Sequence, residues 1–537
     1  MSARLRRVLA AAVVSVVAGC GPAPRPAAPA PALSPTPVSV EPAPVADAPP
    51  AVAPRPAPAT PLADGYRDVA AQILAHARAD GYDAAWRKLA HLADRIGARP
   101  AGSKALERAV AWAAQAMKDD GHDVRLEEVK VPHWVRGAER ARMVAPFTEE
   151  LAMLGLGGTV ATGKKGVTAP VMVVTSFEDL EARAAEAKGK IVLYDVEMPA
   201  WNPVDEHGYG KVALYRWRGA SAAAKHGAVG VMIRSLTARS LRTAHTGSLG
   251  YDDKLPKVPA VAISTEDTER IRRLIDAGDE VKVELVTSGK WLPDATSHNV
   301  IGELRGREAP DEVVVLAAHL DSWDVGQGAH DDGGGCAAVM QALTALRELG
   351  LQPRRTIRVV LYTNEEHGLS GAAAYAAAHT EALGQHVAAI ELDMGIFAPL
   401  GVDVDAGAGW SRQPTDAELA RQAARVADMA DVLSLLAPLG ATRARAGHGG
   451  ADITPLAEAG VPALGFAMDT STYFDYHHTE ADTLDKVDPV HLRDVTAAVA
   501  VLAYVLADLP GRVGAAADVD PAGAGGGAGA GAGASGS

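Results

Sequence analysis

Three short runs of apolar, β-branched residues each stop on a residue that can bind a metal, and this limits the fold more than any other feature of the chain. Val313 to Ala318 runs into His319, Thr356 to Tyr362 runs into Thr363-Asn364-Glu365-Glu366, and Val387 to Leu392 runs into Asp393. Short runs of this kind, alternating with helical segments, read as buried strands of an α/β sheet. Ligands bind such sheets beyond the carboxyl ends of the strands, so these residues stand where a site should form. Asp331 and His478 complete a candidate set of five with His319, Glu366 and Asp393.

The chain of 537 residues is 48% hydrophobic, enough for a large core and two or three domains. A formal net charge of −14, with no basic stripe carrying interleaved aromatics, argues against a nucleic-acid partner. The two cysteines, Cys20 and Cys336, supply no disulfide framework. Cys336 opens an amphipathic segment running to Leu349 and reads as a small core residue rather than a nucleophile.

Arg4, Arg6 and Arg7 precede an apolar stretch from Val8 to Val17, followed by Ala18-Gly19-Cys20. That is a secretory signal over 1–20, too short for a permanent membrane helix. Small residues directly before a cysteine resemble a bacterial lipobox, which implies lipidation of Cys20 and a lipid-anchored protein of the cell envelope, at the outer membrane in a Gram-negative cell. Without lipidation the protein is secreted. No later segment reads as long and apolar enough to cross a membrane. Residues 21–63 form a Pro/Ala-rich tether, and 511–537 a Gly/Ala-rich tail without structure of its own.

Between these ends, residues 64–144 read as the first part of the main domain, with helical spacing over Tyr66–Ala77 and Lys104–Asp120 and Ser103 as an N-cap. A block over 145–290 changes to short strands separated by Gly and Pro. It contains a strand at Gly189–Tyr194, a helix feeding a strand through Gly227 within Gly219–Ser235, and a strand at Val258–Ile263. Alternation of strands and helices resumes over 291–510, which carries every candidate ligand.

Two imidazoles and three carboxylates exceed the three protein ligands that one catalytic zinc takes. They fit two metals if one carboxylate bridges them. Ligation by imidazole and carboxylate without thiolate suits Zn²⁺ and tolerates Co²⁺ or Mn²⁺. Asp321, two residues after His319, is placed to orient that imidazole through its other ring nitrogen. Glu365 and Glu366 end a buried strand and should point in different directions, so one can bind metal while the other serves as general base.

His319-Leu320-Asp321, Gly328-Ala329-His330-Asp331-Asp332-Gly333-Gly334-Gly335, Asn364-Glu365-Glu366-His367-Gly368, Glu391-Leu392-Asp393 and His478-Thr479-Glu480-Ala481-Asp482-Thr483 resemble, in this order, the motifs of the co-catalytic dizinc aminopeptidase family. The middle block resembles the protease-associated domain often inserted in such enzymes. The resemblance implies a zinc exopeptidase fold, a mixed and mostly parallel sheet flanked by helices, interrupted by that α/β insert. It implies two zinc ions bridged by Asp331, with Glu366 and His478 completing one site and His319 and Asp393 the other. Catalysis would use Glu365 as general base on a metal-bridging hydroxide, with Asp321 in support. His478 is chosen over His477 because it precedes an Asp-Thr pair by four residues, as the family's histidine does. His330, where relatives carry small or apolar residues, is read as facing solvent. A homodimer is also implied.

The expected substrates are dipeptides or short peptides with free termini, and a free amine is taken as required. Within the family the chain also resembles members named carboxypeptidases. His448, Asp452 and Tyr473 are the candidate end-binding residues. A metal-free receptor on the same fold would lack ligands or base, whereas all six positions are filled here; an aminoacyl cyclase is disfavoured by the insert. The glycines near 326–335 do not fit a dinucleotide fingerprint, no EF-hand closing Glu is present, and no serine elbow precedes a helix.

Overall fold

The computed structural model describes residues 61–203, 206–409 and 412–515. Cys20, the signal segment, the rest of the tether before residue 61 and the tail beyond residue 515 lie outside them.

The main sheet has eight strands, in the order Asp123–Val135, Lys290–Leu304, Arg355–Tyr362, Ala309–His319, His386–Glu391, Ala463–Met468, Pro399–Val404 and Arg443–Ala446. Its centre is parallel: Ala309–His319 pairs in parallel with Arg355–Tyr362 on one side and His386–Glu391 on the other, and the latter with Ala463–Met468. Parallel strands need both faces covered, and these are buried almost throughout. The helices Gly334–Glu348 and Pro489–Asp508 pack in the largest core cluster beside them. Three pairings are antiparallel, at the Lys290–Leu304 strand and between Pro399–Val404 and Ala463–Met468. The sheet is therefore mixed, with its parallel part where the candidate ligands stand.

The helix Pro489–Asp508 corrects one expectation. It is long and apolar enough to cross a membrane, but its residues from Leu492 to Ala507 are largely buried in the protein core. Its apolarity on all sides reflects burial on all sides. The residues Arg512 to Ala515 also depart from the tail reading. Val513 is buried, and the Gly514 N–H donates to Asp428 Oδ2 at 2.7 Å.

A long antiparallel ribbon pairs Asp123–Val135 with Lys290–Leu304, and Val135 faces Lys290 at one end. Between those two residues the chain builds a second eight-stranded sheet, from Glu139–Ala145 to Lys282–Thr287. Its first strand thus begins six residues before the expected boundary at 145. The helix read within Gly219–Ser235 begins earlier, at Tyr209, and ends at Lys225, feeding the strand Gly230–Arg234. That early start matters, because the first two turns of this helix reach the candidate site.

Candidate metal centre

The carboxyl ends of the central strands deliver the candidate ligands to one place. His319 is the last residue of its strand; Glu365 and Glu366 follow Tyr362, and Asp393 follows Glu391. Asp331 stands between its two imidazoles, with Oδ1 at 3.2 Å from His319 Nε2 and Oδ2 at 3.2 Å from His478 Nε2. His319 Nε2 also lies 3.2 Å from Asp393 Oδ1, and His478 Nε2 lies 3.3 Å from Glu366 Oε2. One carboxylate therefore splits its oxygens between two imidazole–carboxylate pairs. His477 stacks on His478 with ring centroids 3.5 Å apart, and its Nε2 is 3.9 Å from Asp331. Of the two neighbours, His478 touches both Asp331 and Glu366.

The remaining ring nitrogens are held by backbone carbonyls. His319 Nδ1 is 3.0 Å from the Asp321 carbonyl, and His478 Nδ1 is 3.2 Å from the Thr246 carbonyl. Each carbonyl can only accept, so Nδ1 carries the proton and Nε2 presents its lone pair to the centre. Thr246 belongs to the inserted segment, and its N–H donates to the His478 carbonyl at 3.0 Å. The insert thus fixes the tautomer of one candidate ligand, which the sequence carried no signal for.

Asp321 differs from its expected part. Its carboxylate is 3.8 Å from His319 Nδ1 but accepts the backbone N–H groups of Glu365 at 3.0 Å and Glu366 at 3.3 Å. Two N–H donors on the following loop outcompete one imidazole, so the Asp321 carboxylate positions the Glu-Glu turn, while its backbone carbonyl orients the histidine. The carboxylate of Asp332 holds the His319 and Gly335 N–H groups, and Asp482 holds those of His330 and Asp331. Arg99, fully buried, donates to the Leu320, Gln327 and Gly328 carbonyls and ties down the loop between the strand and Asp331.

His330 is also corrected. It is buried, not solvent-facing, stacked between Phe397 and Tyr476, and its Nδ1 accepts the Ile396 N–H at 3.0 Å. Cys336 is a buried core residue whose thiol lies 3.0 Å from the His319 carbonyl.

The electrostatics favour bound cations. Burial and the negative charge of neighbouring carboxylates push Asp332, Glu365 and Glu366 well above the usual carboxylate range. Keeping such a cluster ionised without counter-charge costs several kcal/mol per ion. Glu366 Oε1 is buried without a hydrogen-bond partner. Three overlapping groups, His319/Asp331/Glu366, Asp331/His477/His478 and His319/Asp332/Asp393, each place ligand atoms within 4.8 Å of one another. Nitrogen and oxygen donors around a shared carboxylate fit a pair of divalent ions.

These residues open onto a cavity of about 480 Å³, a volume suited to a short peptide. Glu365, His448 and Tyr473 line it, as do Tyr209 and Arg216 from the insert and Glu391 and Arg443 from the main domain. Asp452 does not line it. It is buried behind Glu391, whose carboxylate accepts its N–H.

Residues 299–503 match the model of a family described as "Peptidase family M28". The chain is 42% identical to carboxypeptidase Q of Rattus norvegicus over 446 residues, covering 83% of this chain and 90% of that protein. It is 40% identical to the Homo sapiens carboxypeptidase Q over 425 residues, covering 79% and 85%. A solved Peptidase M28 precursor from Shewanella amazonensis superposes with a TM-score of 0.77 at 36% identity, covering 84% of this chain and 98% of that one. A zinc aminopeptidase from Bacillus subtilis shares the fold at a TM-score of 0.54 and 22% identity, covering 78% and 94%.

Proposed function

The chain belongs to peptidase family M28, among its carboxypeptidase Q-like members, and is a metallo-exopeptidase; on that premise we propose that it hydrolyses dipeptides and short unblocked peptides at a two-zinc centre. The observation that carries the two-metal reading is Asp331, whose two oxygens each face a different imidazole at 3.2 Å. His319 and Asp393 would hold one ion, Glu366 and His478 the other, with Asp331 between them. Zinc is favoured by the donor set and by the name of the Bacillus subtilis enzyme of the same fold. Ions held there supply Lewis acidity, which lowers the pKa of water and polarises a carbonyl.

Glu365 is the general base in this reading. Its backbone is held by Asp321 while its side chain lines the cavity, so its carboxylate can take the proton of the attacking water and return it to the leaving amine. Burial and the surrounding carboxylates raise its proton affinity, which favours taking the proton from the water.

The second sheet, carried at the end of the ribbon, is read as the protease-associated domain, and its part in the site is recognition. Among the described residues, Arg216 and Arg443 are the two Lys or Arg side chains lining the cavity. Arg443 lies 3.3 Å from Glu206 and 3.7 Å from Asp403. Arg216 makes no ion pair among the described residues; its Nη1 donates to Tyr209 Oη at 2.7 Å and lies 3.5 Å from His478 Nδ1, and its Nε has no partner. A cation left unpaired beside a ligand histidine suits the α-carboxylate of a substrate, which lies one residue, about 3.8 Å, beyond the scissile position. Export follows from the signal segment, with lipidation of Cys20 as the anchor.

The test uses an unblocked dipeptide and its C-terminal amide. Wild type should prefer the free acid, and Arg216→Gln should erase that preference by raising KM roughly 10- to 100-fold for the acid alone. Equal loss on both substrates would assign Arg216 to support of His478 instead.

A further inference from the structure

Glu391 ends its strand two residues before Asp393, so the two side chains project to the same side, and both line the cavity. Glu391 is 2% exposed. Its Oε1 accepts the Asp452 N–H at 3.2 Å and its Oε2 accepts the Ile453 N–H at 2.8 Å. Each carboxylate oxygen keeps a further lone pair. Access to them depends on a glycine: a Cβ on Gly450, which has φ +129°, would overlap the Glu391 carboxyl. Gly449 and Gly450 form bare wall beside it in the same cavity.

The other acidic side chains lining the cavity have work or partners. Asp331, Glu366 and Asp393 are placed as ligands and Glu365 as base; Glu206 pairs with Arg443 and Arg445, and Asp403 with Arg445. Glu391 has no cationic partner among the described residues. Behind it, Asp452 is 1% exposed and neither of its carboxylate oxygens has a hydrogen-bond partner. Two carboxyl groups at one corner, one open to the cavity, suit an incoming ammonium, which brings three donors and a compact charge.

We propose that Glu391 recognises the free α-amino group of the substrate, so that the cavity reads both charged ends of a dipeptide. The proposal rests on the peptidase reading above and adds the residue that selects the amino end. It gives the site a polarity: Glu391 lies at the Asp393 side of the centre and Arg216 at the His478 side. A free dipeptide carries its opposite charges in the same sense.

Alanyl-leucine and propionyl-leucine share one skeleton and differ in the amine. The zinc-loaded wild type should favour alanyl-leucine in kcat/KM by about 10- to 100-fold. Glu391→Gln should bring that ratio close to one, and Glu391→Asp, which withdraws the charge by one methylene, should keep part of it. Calorimetry with a phosphinic analogue of alanyl-leucine and its desamino form should show the same ratios in affinity, independently of turnover. An unchanged ratio in Glu391→Gln overturns the proposal, as does an equal loss on both substrates, which would make Glu391 a support for Asp393. If Glu391→Gln does not fold, Glu391→Asp decides alone: a ratio severalfold below wild type supports the proposal, and a wild-type ratio overturns it. A wild type that cleaves both substrates equally removes the amine reading and leaves the peptidase reading standing. A wild type that cleaves neither removes both.

Discussion

Asp331→Ala is expected to give a folded protein that retains neither metal and hydrolyses peptides roughly 10⁴-fold more slowly than wild type or worse. The size of the effect follows from position. Each Asp331 oxygen faces one half of the centre, at 3.2 Å from His319 and from His478, so one truncation removes a ligand from both halves. What remains is His319 with Asp393 and His478 with Glu366, two protein ligands on each side, where a catalytic zinc takes three. The fold should survive, because Asp482 binds the backbone N–H groups of His330 and Asp331, and neither bond needs the Asp331 side chain. Metal content by mass spectrometry, circular dichroism and turnover together check this. Two ions retained in the variant would remove Asp331 from the bridging role.

Glu365→Gln should separate chemistry from metal binding. Both ions should stay bound, while turnover falls about 10²- to 10⁴-fold, the usual contribution of a positioned general base. The isosteric change keeps the backbone N–H that Asp321 accepts at 3.0 Å, so the turn carrying Glu366 is preserved. Substrate affinity should change little, since the lost function is proton transfer. A variant with full metal, wild-type KM and a turnover within a factor of about three of wild type would show that the base lies elsewhere.

The residues that face the centre were legible because strand ends are. A buried parallel strand reads as an apolar run, and the polar residue that stops it stands at the ligand-binding edge, as with His319, Glu366 and Asp393. Residues that hold these ligands in place were less visible. Asp321 stood out by its spacing from His319, yet its carboxylate serves the Glu365 and Glu366 N–H groups, because backbone donors on a neighbouring loop leave no trace in spacing. Arg99 lies more than 200 positions from the loop it secures, and nothing local marks it. The ribbon Asp123–Val135 was unreadable for another reason: its residues are mostly exposed or half-buried, so no apolar pattern forms. His330 shows the converse, since its polarity suggests solvent while its surroundings bury it. His330 spends its ring faces on Phe397 and Tyr476, a use of histidine that composition does not reveal. Glu391 belongs to a motif, while Asp452 offers itself for end-binding by its position ahead of His478; the fold buries Asp452 behind the Glu391 carboxylate and off the cavity wall.

The two-metal centre itself is tested most directly by titrating zinc into chelator-stripped protein while following calorimetric heat and hydrolysis of an unblocked dipeptide. The account predicts no hydrolysis in the stripped protein, saturation at two zinc ions per chain, and full activity only as the second equivalent binds. Hydrolysis at the wild-type rate without metal, or full activity and saturation at one equivalent, would contradict it.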